Sequence, residues 1–426
     1  MEGATIAELV ELEAGERPDA PAVLAPGAAA LGYGELAGVI EETVRVLRAA
    51  GVGSDDRVAV VLENGPAAAT AFLGVASAAA CAPLNPAYRT EEFLFYLEDL
   101  RARALVIEAG SDSPAREAAE KLGVRVIEVE TAAGAPAGRL RWRGIETETG
   151  PVEFARPENV ALVLHTSGTT ARPKLVPLTQ ANLTASARHI REALRLTPED
   201  RCLNVMPLFH IHGLVGAVLS TLAAGASVVC TPGFEARRFF GWLEEFRPTW
   251  YTAVPTMHQG VLAQAEREPE AARRAGLRFI RSSSVPLPPQ VMARLEELFG
   301  APVIESYGMT EASHQMASNP LPPGERKPGS VGVPAGPEVA VMDEEGHLLP
   351  AGRVGEVVIR GPNVTAGYEG NPEANSKAFT NGWFRTGDQG YFDEDGYLFL
   401  TGRLKEIINR GGEKISPREV DEVLLD

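Results

Sequence analysis

The chain has 426 residues, with 57 Asp and Glu against 40 Lys and Arg, so its formal net charge at pH 7 is −17. This acidic balance excludes proteins that wrap a nucleic-acid backbone, because neutralising phosphates requires clustered Lys and Arg. Hydrophobic residues at 45% and charged residues at 23% are typical of a globular protein of about two to four domains, which excludes wholesale disorder. The 43 Gly and 32 Pro indicate many turns and functional loops and exclude a helical bundle or coiled coil.

The first 300 residues alternate short β-branched runs with longer helical patterns, which predicts βαβ units and parallel sheets. Predicted helices cover 36–50, 65–80, 90–100, 179–194, 235–246 and 289–299. Predicted strands are Val58–Leu62, Ala104–Ile107, Val124–Val129, Val160–Leu164, Leu203–Val205, Ser227–Cys230, Trp250–Ala253, Phe279–Arg281 and Val303–Glu305. Residues 130–157 have few periodic signals and are predicted to connect two such layers.

One long stretch, Leu203–Phe234, contains no Asp, Glu, Lys or Arg. A membrane-spanning helix needs about 20 continuous apolar residues, and Pro, Gly and His interrupt this stretch repeatedly. We interpret it as a loop, a buried helix over 213–224 and a strand, and no membrane span is expected.

Cysteine usage and the N-terminus bear on the compartment. Cys81, Cys202 and Cys230 lie far apart without metal-ligand spacing, which predicts buried, reduced thiols. The N-terminal residues are acidic and have no apolar signal core. We therefore expect a cytoplasmic protein. A peroxisomal location is left open, because a C-terminal targeting tripeptide would lie beyond Asp426.

The pattern changes after residue 327, where short runs are separated by Glu-Gly, Asn-Gly and Asp-Gly turns that favour hairpins. These runs predict a small antiparallel β-barrel with strands at Val339–Asp343, Gly355–Arg360, Trp383–Thr386, Gly390–Asp393 and Tyr397–Gly402. A further strand is predicted at Ile407–Asn409. Ser416, Pro417 and Glu419 form a good helix opening near the end of the chain.

The predicted fold class is α/β. Two layered βαβ subdomains, 1–157 and 158–327, are predicted to pack together. They are followed by the β-barrel subdomain at 328–402. The last residues, 403–426, are predicted to begin a further unit.

The strongest chemical feature is the string LHTSGTTARPK at 164–174, which follows an apolar strand and precedes a predicted helix. Its backbone N–H groups and hydroxyls can donate to phosphate oxygens while Arg172 and Lys174 neutralise charge. It is not a Walker A loop, since GxxxxGK[ST] occurs nowhere in the chain. We predict a phosphate cradle in a strand-to-helix turn.

This string resembles the phosphate loop of the adenylate-forming superfamily, which includes acyl-CoA synthetases, amino-acid adenylation domains and luciferases. Further strings in the same order resemble its other motifs: YGMTE at 307–311, TGD at 386–388, GRLKE at 402–406 and GGEKI at 411–415. TEASHQMASN at 310–319 and RGPNVTAGYEGNP at 360–372 are most similar to oxalate–CoA ligases. The resemblance implies that a carboxylate joins the α-phosphate of ATP, releasing pyrophosphate, before the thiol of CoA takes the acyl group.

The resemblance also implies roles for individual residues. Glu311, with Thr166, would hold Mg²⁺, Tyr307 would stack on adenine, and Asp388 with Arg403 would bind the ribose. Lys405 matches the family's hinge motif, so 403–426 would be this hinge and the beginning of an α+β C-terminal lid domain. The second subdomain, 158–327, would hold the phosphate loop and the acyl pocket. The expected catalytic residues are Lys174, Thr310, Glu311 and His210. The ATP and AMP site would comprise Thr166, Ser167, Gly168, Thr169, Thr170, Lys174, Ser283, Ser306, Tyr307, Gly308, Met309, Thr310, Asp388 and Arg403.

The acyl pocket is expected where 207–213, 282–284 and 312–314 converge, with His210, Ser283 and His314 as substrate contacts. Amino-acid-activating relatives carry an Asp where this chain has His210, which argues against an amino-acid substrate. The polar residues of this pocket suit a small dicarboxylate such as oxalate, because the distal carboxylate of such an acid must be paired when it is buried.

Several alternatives stay open at this point. His210 could be a gate that moves with ATP, His314 a structural histidine, and His210 with His212 a metal site. The substrate could be an aryl or fatty acid, and a non-catalytic ATP-binding scaffold is a further alternative. The oligomeric state is not predicted.

The chain departs from the family pattern at two places. Leu175 stands where the phosphate loop usually continues with Gly, so its β-carbon could tilt the loop. Family members also carry a catalytic lysine near the end of the lid domain, which would lie beyond Asp426. We therefore expect this chain to bind ATP and acyl-adenylate but to turn over poorly.

Overall fold

The structure is a computed structural model that describes residues 4–132, 134–147, 150–166 and 173–406, and only the backbone at 408–410 and 413–415. Two mostly parallel sheets carry the first part of the chain and an antiparallel half-barrel sheet carries the next. The predicted α/β class with an antiparallel unit is confirmed.

The first sheet is parallel at its centre and ends in an antiparallel strand on each side. Its central strand, Arg57–Val61, is a continuous apolar run that is buried from Val58 onward, as expected for a strand covered on both faces. Val58 and Val60 pack on one face, and Ala59 and Val61 pack on the other. The spatial order of the strands is Arg141–Trp142, Arg125–Glu130, Ala104–Glu108, Arg57–Val61, Ala80–Pro83, Val160–Thr166 and Lys174–Thr179.

The second sheet is also parallel at its centre, with antiparallel strands at both ends. Its spatial order is Val333–Pro334, His314–Ser318, Val303–Met309, Phe279–Ser282, Trp250–Ala253, Arg201–Asn204, Ser227–Cys230, Pro21–Leu24 and Leu31–Gly32. Because the parallel strands share one direction, their carboxyl ends meet at one edge, which is where α/β proteins place ligands.

Helices form three layers around the two sheets. Those that pack against the main core between the sheets are Ile6–Glu16, Tyr33–Ala49, Pro66–Ala76, Gln180–Ala193 and His212–Leu222. Those on the outer face of the first sheet are Thr90–Leu100 and Pro114–Leu122. Those on the outer face of the second sheet are Ala236–Phe246, Pro255–Ala265, Pro269–Arg274 and Pro289–Phe299.

The sheets exchange strands across the predicted boundary at residue 157. Pro21–Leu24 pairs with Ser227–Cys230 in the second sheet, and Val160–Thr166 pairs with Ala80–Pro83 in the first. The phosphate-loop strand therefore belongs to the N-terminal sheet, not to the second subdomain in which the sequence placed it. Hydrophobic patterns identify each strand, but its sheet is decided by pairing between residues distant in sequence.

The predicted strand-to-helix turn at 164–174 is wrong in its second half. Val160–Thr166 and Lys174–Thr179 form an antiparallel pair, with Thr166 opposite Lys174, so the phosphate string at 164–174 joins two strands. We call this strand pair the phosphate hairpin. The helix follows only at Gln180, where Thr179 caps it and Asn182 completes a capping box. Lys174–Thr179 was missed because its strand is short and runs directly into the predicted helix.

The antiparallel sheet runs in the order Glu338–Met342, Gly355–Arg360, Trp383–Phe392 and Phe379–Thr380, with Leu398–Arg403 also pairing with Trp383–Phe392. The two strands predicted at 383–386 and 390–393 form one strand with shifts of register. Helix Pro372–Ala378 precedes Phe379–Thr380. Beyond it, Ile408–Arg410 pairs with Glu413–Ile415, while the predicted helix opening at Ser416 lies outside the described residues.

The uncharged stretch forms a buried helix, as expected, but with an unusual geometry. His212–Leu219 is a π-helix that continues into a short α-helical turn at Ser220–Leu222. Such wide helical turns are rare and often mark functional sites. In the part of the chain that the structure describes, no helix is long and apolar enough to span a bilayer.

Candidate active site

The edge formed by the carboxyl ends of the second sheet carries most of the predicted residues. Strand Val303–Met309 leads into a 3₁₀ turn at Thr310–Ala312, which places Thr310 and Glu311 at this edge. The backbone then passes through two positive φ angles, 50° at Ser313 and 102° at His314. Backbone strain of this kind is concentrated at functional sites, where surrounding contacts hold it.

Gly308 is required by this turn. A β-carbon at position 308 would lie 1.8 Å from the carbonyl oxygen of His314. The glycine of the YGMTE string therefore serves the close return of the backbone after Glu311.

Lys174 and Glu311 are connected through Tyr368, which the sequence analysis did not single out. The Nζ of Lys174 lies 4.2 Å from the centroid of the Tyr368 ring, and the Tyr368 hydroxyl donates to Glu311 Oε1 over 2.8 Å. Burial raises the pKa of Glu311, and the hydrogen bond from Tyr368 opposes that shift. The pKa of Lys174 is lowered by burial and by repulsion from Lys405, the residue predicted to be the hinge.

The segment 360–372 wraps around this turn. Asn363 Nδ2 donates to the carbonyl oxygens of Ala312 and Gln315 over 2.8 and 3.1 Å. The backbone N–H of Thr365 donates to the carbonyl oxygen of Glu311 over 2.8 Å. The segment 360–372, which resembled oxalate–CoA ligases, is thus a strap that holds the YGMTE motif at 307–311 and the turn that follows it.

The predicted ribose site is already hydrogen-bonded. The hydroxyl of Tyr307 donates to Asp388 Oδ2, and Arg403 Nε donates to Asp388 Oδ1 over 2.9 Å. Asp388 is buried, and burial raises its pKa against the opposing effects of Tyr307 and Arg403. These contacts bring three residues from separate motifs into one cluster, at the junction of the second sheet and the half-barrel.

Other predicted nucleotide residues lie nearby or outside the described residues. Ser283 Oγ donates to the carbonyl oxygen of Ser306 over 3.0 Å, and Ser306 is buried on the neighbouring strand. Met309, the last residue of strand Val303–Met309, is partly exposed. The members of the phosphate string that lie outside the described residues are Ser167, Gly168, Thr169, Thr170 and Arg172, and the GGEKI glycines Gly411 and Gly412 do as well.

The candidate acyl residues separate into two groups. His210 is exposed beside Phe209, although neighbouring protein atoms desolvate its ring enough to lower its pKa. His314 is buried and stacks on His212, with ring centroids 4.9 Å apart. His212 contacts the hydroxyls of Ser284 and Thr252 through its two ring nitrogens, at 3.0 and 2.6 Å.

These contacts argue against a metal at His210 and His212, since both nitrogens of His212 have hydroxyl partners. Among the residues that the structure describes, no three His, Cys, Asp or Glu side chains are arranged to hold a metal ion. Glu311 nevertheless suits a Mg²⁺ that is bound jointly by the protein and the phosphates of ATP, because it is a buried carboxylate with no ion pair among those same residues.

Leu175 is accommodated in the strand Lys174–Thr179. Its side chain packs in the outer apolar cluster of the first sheet, and its carbonyl oxygen accepts the N–H of Glu369 over 3.0 Å. The β-carbon that replaces the usual glycine therefore has a place in the core.

Residues 10–369 match the family model described as AMP-binding enzyme. The chain belongs to this family. Members of the AMP-binding enzyme family with similar sequences are acid–thiol ligases.

Three curated relatives illustrate the similarity. The oxalate–CoA ligase of Arabidopsis thaliana is 47% identical, over 100% of this chain and 84% of the relative. That of Saccharomyces cerevisiae is 46% identical, over 87% of this chain and 72% of the relative. The sulfoacetate–CoA ligase of Cupriavidus necator is 39% identical, over 99% of this chain and 82% of the relative.

Solved structures agree with the fold. ATP-bound MatB from Rhodopseudomonas palustris is similar with a TM-score of 0.87 and 30% identity, over 97% of this chain and 82% of that one. The o-succinylbenzoate–CoA synthetase MenE from Bacillus subtilis, solved with ATP and magnesium, gives a TM-score of 0.83 at 29% identity, over 98% and 84%. This AMP-binding enzyme is an AMP-forming acid–thiol ligase that uses ATP, Mg²⁺ and CoA.

Proposed function

We propose that the acid substrate of this ligase is oxalate. Oxalate would attack the α-phosphate of ATP, giving oxalyl-AMP and pyrophosphate, and the CoA thiol would then displace AMP to give oxalyl-CoA. The observation that carries the proposal is the 47% identity, maintained over the whole chain, to a relative named oxalate–CoA ligase.

The chemistry of the relatives' acids supports a small, doubly charged substrate. Two relatives, at 47 and 46% identity, are named for oxalate, and one at 39% is named for sulfoacetate, whereas another at 46% is named only as a probable CoA ligase. Both acids are small and carry a second anionic group. A relative named for the aryl acid ferulate is only 34% identical.

The lining of the candidate pocket also supports a polar acid. His314, Ser283 and His212 are buried where a long apolar acid would need apolar walls. Burial and the nearby guanidinium of Arg281 lower the pKa of both His212 and His314, so both rings are neutral at pH 7 and can donate or accept one hydrogen bond per nitrogen.

We assign the adenylation step to the residues at the sheet edge. Lys174 and Thr166, opposite each other at the mouth of the phosphate hairpin, would bind the β- and γ-phosphates together with the loop residues 167–170. Thr310 would donate to the α-phosphate. Glu311, with Thr166, would hold Mg²⁺, which neutralises phosphate charge when bound. Positioning and charge stabilisation would supply most of the rate.

The nucleoside would lie over the Tyr307 cluster. Asp388 would accept the ribose hydroxyls, and Arg403 would keep its carboxylate oriented. Tyr307, Ser306, Gly308, Met309 and Ser283 would surround the adenine and the α-phosphate. ATP binding would then require the Tyr307 hydroxyl to share or release Asp388.

His210 is assigned to the open side of the acid. Its exposed ring next to Phe209 lies on the segment that leads into the buried π-helix. It would contact the reacting carboxylate from the solvent side, whereas His314 and Ser283 would contact the acid from the protein side.

A substrate panel tests the proposal. Pyrophosphate–ATP exchange and thioester formation would be measured with oxalate, malonate, sulfoacetate, 4-coumarate and hexanoate. We expect the highest kcat/KM with oxalate. A higher value with 4-coumarate or hexanoate would contradict the proposal, and a lack of exchange with every acid would favour an ATP-binding scaffold.

We also propose a cytoplasmic location. Cys81, Cys202 and Cys230 are buried and unpaired by disulfides, as suits a reducing compartment. Fractionation of cells that express the natural protein tests this, with recovery in the peroxisomal fraction as the contrary result.

A further inference from the structure

Arg281 is a buried cation without a counter-ion in the described part of the chain. It lies on strand Phe279–Ser282 and has no exposed surface. Nη1 donates to the carbonyl oxygen of Gly216 over 3.2 Å, and Nη2 donates to the side-chain oxygen of Gln315 over 3.0 Å. Nε has no hydrogen-bond partner. Burial lowers its pKa to about 10, so it remains charged at neutral pH.

Such a charge is costly unless something pairs with it. An ionised group removed from water loses its hydration, and neutral carbonyl and amide oxygens replace only part of that stabilisation. Arg278, just before the same strand, shows how an arginine is usually stabilised, since it forms an ion pair with Asp200 over 2.9 Å. Arg281 would therefore be stabilised by an anion that is not part of the described chain.

Sheet register places this charge beside the candidate acid pocket. Thr252 lies opposite Arg281 on the neighbouring strand and contacts His212. His212 stacks on His314, whose Nε2 is buried and has no hydrogen-bond partner. The unpaired guanidinium and the unpaired imidazole nitrogen thus belong to the same buried layer.

Gly216 shows how close the two groups are. A β-carbon at position 216 would lie 2.6 Å from His314 Nε2 and 3.1 Å from Arg281 Nη1. Any other residue at this point of the π-helix would push His314 away from the guanidinium. The glycine keeps the positive charge of Arg281 next to the His314 nitrogen.

From this arrangement, and resting on the proposed function, we infer that Arg281 selects acids with a second negative charge: His314 Nε2 contacts the distal carboxylate, and Arg281 behind it compensates the charge. Arg281 is thus a positioning residue that acts through His314. A singly charged acid of the same shape would leave the cation uncompensated, so the pocket would discriminate by charge and not by size.

Oxalate and oxamate test this inference, because oxamate has the shape of oxalate with an uncharged amide in place of one carboxylate. The measured quantity is the ratio of kcat/KM for oxalate to that for oxamate, in wild type and in Arg281→Met. We expect the ratio to fall at least about tenfold in the variant, as for the loss of a buried charge pairing, with the KM for ATP unchanged. Arg281→Lys, which keeps the charge, should retain most of the preference.

A purely structural Arg281 gives a different result. If it only holds Gly216 and Gln315, Arg281→Met lowers kcat/KM for both acids equally and leaves the ratio unchanged, which overturns the inference. The control is Arg201→Gln: Arg201 is another arginine bonded to neutral groups, the carbonyl of Phe246 and the hydroxyl of Ser227, at the opposite end of its strand. Its removal should leave the ratio unchanged.

A second readout covers a variant that is too unstable for kinetics. Oxalate should raise the melting temperature of ATP-bound wild type more than oxamate does, because only oxalate pairs the charge. Equal shifts would contradict the inference. The proposed function fails separately, if wild type does not use oxalate. The same comparison is then made with malonate and its monoamide, and an unchanged ratio there overturns the inference.

Discussion

The hydroxyl of Tyr368 donates to Glu311 over 2.8 Å while the Tyr368 ring lies under the ammonium group of Lys174. One side chain thus joins the strap at 360–372 to both the YGMTE motif and the phosphate hairpin. Burial and the Glu311 carboxylate raise the pKa of Tyr368 well above its ordinary value, so the hydroxyl stays protonated and remains a donor at every working pH.

The first prediction concerns this hydrogen bond. In Tyr368→Phe the ring under Lys174 remains, but Glu311 loses its donor. We expect pyrophosphate–ATP exchange to fall about ten- to a hundredfold, since a hydrogen bond to a charged group contributes ~1.5–3 kcal/mol. Tyr368→Leu, which also removes the cation–π contact, should be slower still. Wild-type exchange in Tyr368→Phe would show that the hydroxyl has no part in adenylation.

The second prediction concerns pH. The pKa of Asp388 is raised above its ordinary value of 3.8, mainly by burial, so on acidification it takes up a proton earlier than an exposed aspartate. Protonation removes the charge that accepts the ribose hydroxyls. We expect Asp388→Asn to raise the KM for ATP at least about tenfold at neutral pH, from the loss of a charged acceptor. The ratio of variant to wild-type KM should shrink as the pH falls. A ratio independent of pH would contradict this.

The third prediction separates the two half-reactions. Lys405 follows the last strand of the half-barrel, and its charge lowers the pKa of Lys174 by repulsion. If it is the hinge, Lys405→Ala should leave pyrophosphate–ATP exchange within about twofold of wild type and slow CoA thioester formation about tenfold, as expected for a conformational step. The control is Lys377→Ala, at an exposed lysine paired with Glu373 over 2.7 Å, which should change neither rate.

The fourth prediction concerns two glycines. In Gly308→Ala the new β-carbon would lie 1.8 Å from the His314 carbonyl oxygen, so the turn at 310–314 must move. We expect loss of exchange activity and an unfolding free energy lower by ~1–3 kcal/mol, as for other overpacked sites. Gly15→Ala is the matched control, since nothing lies within 4 Å of its added carbon. In helix Ile6–Glu16 it should raise the unfolding free energy by ~0.5–1 kcal/mol without affecting activity. Urea denaturation and exchange rates check both variants.

Local motifs predicted which residues of the candidate nucleotide site would lie close together. TGD and YGMTE each contain residues that meet in the structure, because Tyr307 and Asp388 are hydrogen-bonded and Arg403 completes the cluster. The strands at Ser227–Cys230 and Trp250–Ala253 lie where predicted, since their short apolar runs are bounded by turns. The helices Ile6–Glu16, Pro114–Leu122 and Pro255–Ala265 were missed.

The sequence by itself determined the family resemblance, the α/β class, the antiparallel unit and the nucleotide motifs, because each is written in consecutive residues or in a short period. Only the tertiary structure decided that the phosphate string joins two strands of the first sheet. It alone placed Tyr368 between Lys174 and Glu311, and Arg281 behind His314. The hydrogen bonds Tyr368–Glu311 and Arg281–Gln315 join residues that are 57 and 34 positions apart in the sequence. Contacts over such separations depend on strand register and helix packing, which no local pattern of residues specifies.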